Sequence, residues 1–151
     1  MISSDGLELI KYFEGVRPTA YKDSGGILTI GYGHTKNVKE GDIITEDDAE
    51  KLLKIDLLNA EARVEKKVNW NQMPHFDQNK WDALISQAFN LRSFEMLADH
   101  LKESETIYLS KTLLYCKDVK GHTLWGLKKR RIAEVLLYLG ESWENIRKVI
   151  G

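Results

Sequence analysis

The stretch Glu14-Gly15-Val16-Arg17-Pro18-Thr19-Ala20-Tyr21-Lys22-Asp23-Ser24-Gly25-Gly26-Ile27-Leu28-Thr29-Ile30-Gly31-Tyr32-Gly33-His34-Thr35 joins the end of a helix to a hairpin rich in glycine. Upstream, Leu9, Ile10 and Phe13 recur at helical spacing, and Asp5 with Glu8 has the form of a capping box. Gly15 stops the pattern, so Glu14 falls in the last turn. After Pro18, two short β-like runs flank Asp23-Ser24-Gly25-Gly26, the signature of strands around a glycine turn. Such a hairpin is expected to swing Asp23 and Thr29 back over the helix end that carries Glu14, forming a cleft.

Each of these residues has an ordinary reading when taken singly. A glutamate at a helix end is usually solvated, an aspartate in a turn bonds its own backbone, and a threonine suits a strand. Together they provide an acid, a second carboxylate and a hydroxyl. The negative end of the helix dipole disfavours an ionised carboxylate, which suits Glu14 to giving up a proton. Glycoside cleavage needs that pairing: one carboxyl protonates the leaving oxygen while the other acts at the opposite face of the sugar.

The motifs Glu14-Gly15-Val16-Arg17, Tyr21-Lys22-Asp23, Gly26 and Thr29-Ile30-Gly31-Tyr32-Gly33-His34-Thr35 resemble those of the phage-type lysozymes, the endolysin muramidases. Asp82 to Asn90 is similar to that family's central helix, and Gly126 to Glu134 to its Gly-Leu-x-x-Arg-Arg-x-x-Glu segment. The resemblance implies that Glu14, Asp23 and Thr29 form the Glu, Asp, Thr catalytic triad. It also implies substrate contacts from Phe89 and Asn90, and an Arg130 that braces the acid-bearing helix end. His34, beside the glycine strand, is expected to steady the hairpin through hydrogen bonds. The implied reaction is hydrolysis of the β-1,4 bond between N-acetylmuramic acid and N-acetylglucosamine of peptidoglycan. Asp23 and Thr29 would hold the attacking water, or Asp23 would stabilise or attack the anomeric carbon.

Two segments depart from the family pattern. Asn90 is followed by Leu91, Arg92, Ser93 and Phe94 where the family places a glycine. Tyr115 to Gly121 replaces an aromatic and a Gly-Gly loop, and Trp125 stands where the family tends to have proline. These changes bear on the distal substrate wall rather than on the triad.

Outside these motifs, Thr45 with Asp48 forms a capping box opening a long helix with Ala49, Leu52, Leu53, Ala60 and Val64 on one face. Trp81, Leu84, Ile85, Ala88 and Phe89 mark a central helix over Gln78 to Asn90, with Met96, Leu97 and Leu101 as further core. Helices are expected at Thr106–Cys116, Leu127–Leu139 and Ser142–Ile150, packed by Trp125, Tyr138 and Trp143. Pro18 and Pro74 are assigned to turns. The predicted fold is α+β and mostly helical. It has two lysozyme-like lobes: a small β-hairpin lobe over about 15–60, a long connecting helix, and a helical large lobe over about 61–151 that also takes in the amino-terminal helix. The length of 151 residues suits a single catalytic domain.

Composition narrows the alternatives. No apolar run approaches the roughly 18 residues of a membrane span, and the amino terminus lacks signal-peptide order. A soluble monomer is therefore expected, made in the host cytoplasm, not inserted in a membrane, and released to the wall through a holin, as the resemblance suggests. Cys116 stands alone and reads as a small buried hydrophobe. His34, His75, His100 and His122 share no metal-ligand spacing, so neither metal nor cofactor is expected. Residues 40–65 hold nine acids and three bases, whereas 117–148 hold eight bases and four acids. The basic segment is compatible with anionic wall polymer, membrane surface or nucleic acid, but no interleaving of aromatic and basic residues supports nucleic acid. Three other readings are a peptidoglycan-binding module without turnover, a lytic transglycosylase and a basic interaction protein. The intact Glu14, Asp23 and Thr29 set favours hydrolysis.

Overall fold

The computed structural model describes residues 1–68, 77–118 and 120–151. Pro74 and His75 lie outside the described residues. The described residues contain seven α-helices: α1 (Ser4–Glu14), α2 (Glu46–Lys67), α3 (Gln78–Asn90), α4 (Phe94–Ala98), α5 (Glu105–Thr112), α6 (Trp125–Tyr138) and α7 (Trp143–Ile150). A 3-10 turn (Asp99–Lys102) follows α4, and one antiparallel sheet pairs β1 (Arg17–Lys22) with β2 (Leu28–Gly31). The chain divides into two compact units, Ile10–Asn59 and Met1–Leu9 with Ala60–Gly151. The α+β, mostly helical expectation is met.

In the unit Ile10–Asn59, β1 and β2 pair Tyr21 with Thr29 and Lys22 with Leu28, and the register slips between Arg17 and Tyr21. Pro18 lies inside β1 rather than in a turn. It lacks an N–H but has a carbonyl, which accepts from Ile44 N at 2.9 Å on the side of β1 that the 42–44 segment covers. Ile30 and His34 exchange backbone hydrogen bonds of 2.8 and 2.9 Å around a tight turn. Gly31 and Gly33 adopt φ of 66° and 82° there, a conformation that favours glycine. The start of α2 carries the expected reciprocal box: Asp48 N donates to Thr45 Oγ1 at 3.1 Å and Thr45 N to Asp48 Oδ2 at 3.3 Å. Ala49, Leu53 and Leu57 on α2 are buried.

In the unit Met1–Leu9 with Ala60–Gly151, α3 packs on α6 around Leu84, Ile85, Ala88, Ala133 and Leu137. Burial of each such leucine or isoleucine contributes about 1.5–3 kcal/mol. Several boundaries differ from expectation. Ser3 rather than Asp5 begins α1: its hydroxyl accepts from Gly6 N at 3.3 Å and its carbonyl from Leu7 N at 2.9 Å. Ser3 also bonds Asp82 on α3, a distant partner that local sequence cannot show. Met96 is 67% exposed, because the short α4 turns Phe94 and Leu97 inward and leaves Met96 on the other side. Helix α5 ends at Thr112, so Cys116 lies beyond it, buried, with its carbonyl accepting from Leu124 N at 2.8 Å. Trp125 opens α6 and is 74% exposed rather than packed, on the same helical face as exposed Lys129.

The absent glycine after Asn90 has a structural counterpart. Leu91 closes α3 in extended conformation, with φ −108°, so no left-handed residue is needed. Arg63 of α2 supplies the donors that the helix end lacks. Its Nη1 donates to Ala88 O, and its Nη2 donates to Leu91 O at 3.2 Å and Arg92 O at 3.1 Å. Glu95 holds the same guanidinium through Nε and Nη2, each at 2.7 Å. The hydrogen bonds to Glu95 raise the affinity of Arg63 for its proton and hold the Glu95 carboxyl below its ordinary range.

Candidate active site

Glu14 is the last residue of α1 and half-buried. The glycine turn comes close to it: a Cβ on Gly33 would stand 3.8 Å from Glu14 Oε2. A Cβ on Gly31 would stand 3.2 Å from Ala49 Cβ, so α2 limits the turn from another direction. Tyr32, between the two glycines, is buried, and its hydroxyl lies 3.5 Å from Glu46 Oε1 on α2. One turn before Glu14, Lys11 Nζ is 3.3 Å from Glu50 Oε1, also on α2. The end of α1 and the turn are thus both tied to α2 by polar contacts within this unit.

Asp23 begins the turn between β1 and β2, and both of its side-chain bonds go to one oxygen. Oδ1 accepts from Gly25 N at 2.8 Å and Ile27 N at 2.9 Å. The backbone closes the same turn, with Asp23 N donating to Ile27 O and Gly26 N to Asp23 O, both at 2.9 Å. Asp23 therefore does make the backbone turn of its ordinary reading, and that turn fixes the carboxylate plane. Oδ2 accepts no hydrogen bond among the described residues, so it remains open to a ligand.

Thr29 is buried on β2 opposite Tyr21, and its hydroxyl donates to Ile27 O at 2.9 Å. With its proton committed to that carbonyl, Thr29 Oγ1 presents lone pairs and can accept from water. Ile27 thus serves both residues: its N–H holds Asp23, and its carbonyl receives Thr29.

His34 is buried and bonded at both ring nitrogens. Nδ1 lies 2.9 Å from Asp56 Oδ2 on α2, and Nε2 lies 2.8 Å from Lys36 O. The contacts join the segment after the glycine turn to α2. Asp56 was not singled out by sequence reasoning, since it looks like one more acid on an acidic helix.

Phe89, Asn90 and Arg130 belong to the unit Met1–Leu9 with Ala60–Gly151. Asn90 ends α3, half-buried, and its Oδ1 accepts from Arg131 Nη2. That bond fixes the amide orientation. Arg131 is fully buried, and its Nε lies 3.0 Å from Glu134 Oε1, an ion pair without hydrogen-bond alignment. Burial lowers the affinity of Arg131 for its proton, and Glu134 opposes that effect. Within this unit Arg130 contacts Glu134 Oε2 at 3.4 Å and Ser86 Oγ at 3.3 Å, while Ser86 Oγ donates to Glu134 Oε2 at 2.5 Å. The arginine pair and Glu134 are therefore anchored across α3 and α6. Sequence motifs identified Arg130 but not the hold of Arg131 on Asn90.

The phage lysozyme family model matches residues 11–134. An endolysin of Acyrthosiphon pisum secondary endosymbiont phage 1 is 35% identical over 145 residues, which cover 91% of this chain and 97% of the relative. Among solved structures, the endolysin from Escherichia coli O157:H7 phage FAHEc1 superposes with a TM-score of 0.81 at 33% identity, covering 93% of this chain and 94% of that one. The muramidase domain of SpmX from Asticaccaulis excentricus gives a TM-score of 0.85 at 33% identity, covering 93% and 99%.

Proposed function

The chain belongs to the phage lysozyme family, and from that membership we propose how its residues divide the work of a muramidase. It is a glycoside hydrolase that cleaves the β-1,4 bond between N-acetylmuramic acid and N-acetylglucosamine of peptidoglycan and so lyses the cell wall. Residues 1–151 act as one catalytic domain. Glu14 gives its proton to the leaving glycosidic oxygen. A water donates one hydrogen bond to Asp23 Oδ2 and one to Thr29 Oγ1, which aims its oxygen at the anomeric carbon. As the new bond forms, Asp23 takes the water's proton and the sugar leaves with an ordinary reducing end.

The observation that carries this division is the double use of Ile27, whose peptide groups hold Asp23 Oδ1 and the Thr29 proton and leave their other lone pairs available. His34 is a positioning residue that ties the hairpin to α2. Arg130 braces the acid-bearing machinery. Asn90, its carbonyl oxygen held by Arg131, offers an amide N–H to a sugar acetamido or hydroxyl group, and Phe89 supplies an apolar wall. Among the described residues no helix is long and apolar enough to cross a membrane. We read the active form as a monomer that needs no metal or cofactor and reaches the wall after release from the cytoplasm, through a holin.

Glu14→Gln keeps the shape of the side chain and removes its proton. Turbidity clearing of isolated bacterial walls is expected to stop in this variant while its circular dichroism remains parental. Clearing at near parental rate would remove Glu14 from the mechanism.

A further inference from the structure

We propose that the segment leading into α6 is a docking surface for anionic lipid bilayers. Residues 113–129 contain four lysines and one aspartate. The chain doubles back within this segment: Lys117 pairs with Thr123 in an antiparallel bridge, and Leu124 N donates to Cys116 O at 2.8 Å. That folding sets Cys116 and Lys117 beside Thr123 and Leu124. Asp118 spends its charge locally, with Oδ1 accepting from Lys120 N and His122 N at 2.9 Å and Oδ2 lying 3.4 Å from His122 Nδ1. Lys128 is turned to Leu113 O at 3.2 Å. Lys117, Lys120 and Lys129 are exposed and have no ion pair among the described residues.

The apolar side chains decide the occupant. Trp125 is 74% exposed, Leu114 62% and Leu124 42%, and no ring contact or hydrogen bond engages the indole among the described residues. A hydrophilic phosphodiester polymer would satisfy the lysines but give no return for two exposed leucines and a tryptophan. A bilayer takes both: its anionic headgroups attract the ammonium groups, and its interface accepts the indole and the aliphatic chains. Docking of this kind is peripheral and needs no spanning helix.

The test is flotation of the purified whole chain with vesicles, half phosphatidylglycerol and half phosphatidylcholine, against vesicles of phosphatidylcholine alone. Binding is expected on the anionic vesicles only and should weaken with added salt. Neutralising Lys117, Lys120 or Lys129 singly with glutamine should weaken it about fivefold each, the effect of roughly one unit charge at an anionic surface. Trp125→Ala should weaken binding at every salt concentration by the same factor, because an apolar contribution is not screened. The control Lys51→Glu with Lys54→Glu, on exposed α2 positions, should bind as the parent does. Far-UV circular dichroism and a urea midpoint matching the parent show that the Trp125 and lysine variants are folded. The proposal is overturned if the parent fails to bind, if the α2 control loses as much as the lysine variants, or if Trp125→Ala binds like the parent.

Discussion

Ile27 has no functional group in its side chain, yet its peptide carries the geometry of the candidate site. Its N–H fixes one oxygen of Asp23 and its carbonyl takes the Thr29 proton. Asp23→Asn keeps the turn, since an amide oxygen can still accept both backbone donors, but it removes the charge and the capacity to take a proton from water. Its kcat on isolated walls is expected to fall by about 10² to 10⁴, the usual worth of general-base help, and a loss under about threefold would count against the assignment. Thr29→Val should lose less than Asp23→Asn but clearly, and Thr29→Ser should recover most of the rate by restoring the hydroxyl. A separate residue-scale test concerns Asp82, nearly fully buried, whose burial raises its proton affinity above the usual carboxyl range despite hydrogen bonds from Ser3 and Gln78. A carboxyl held above its unfolded value favours the folded state most at low pH and loses that advantage as pH rises toward the raised value. Urea titrations of the parent and Asp82→Asn should therefore diverge, the parent losing stability relative to the variant as pH rises above the ordinary aspartate range. Parallel pH profiles would refute this. At this scale the turn that holds Asp23 and the strand that carries Thr29 were legible because their signals lie in adjacent residues. Asp56 beside His34 and Arg131 on Asn90 were not, because those partners are 22 and 41 residues apart.

Helices and turns were legible where their signals are local and obscure where distant partners set them. The Thr45–Asp48 box and the Gln78–Asn90 helix have signals in adjacent residues, and both stand as expected. The start of α1 does not, because Ser3 is recruited by Asp82, nor does the end of α3, where Arg63 replaces a glycine cap from another helix. Arg63→Met should cost about 1–3 kcal/mol in urea unfolding, since the carbonyls of Ala88, Leu91 and Arg92 lose a charged donor while the aliphatic stem is kept. An unchanged midpoint would show that water serves the helix end as well. In the glycine turn, valine at Gly31 or Gly33 adds a strained positive φ, and at Gly33 it also brings a branched side chain toward Glu14. Wall lysis by either variant should fall far more than thermal stability does. Full activity in both would refute the role assigned to the turn.

For the whole molecule, the class of fold followed from the balance of helical stripes and one glycine hairpin. The exposure of Trp125 did not follow, since an aromatic beside a helical stripe reads equally well as core. The acidic run over 40–65 and the basic run over 117–148 fall mainly in different compact units, so charge is distributed unevenly along a chain of net charge −1. The central claim is that water, held by Asp23 and Thr29, is the acceptor when Glu14 protonates the glycosidic oxygen. Transglycosylation would use the same acid but let the 6-hydroxyl of muramic acid attack, forming an anhydro sugar. Mass spectrometry of purified walls digested with the parental enzyme separates the two directly. Muramyl products with ordinary reducing ends are the predicted result, and anhydro-muramyl products, lighter by one water, as the main species would contradict it.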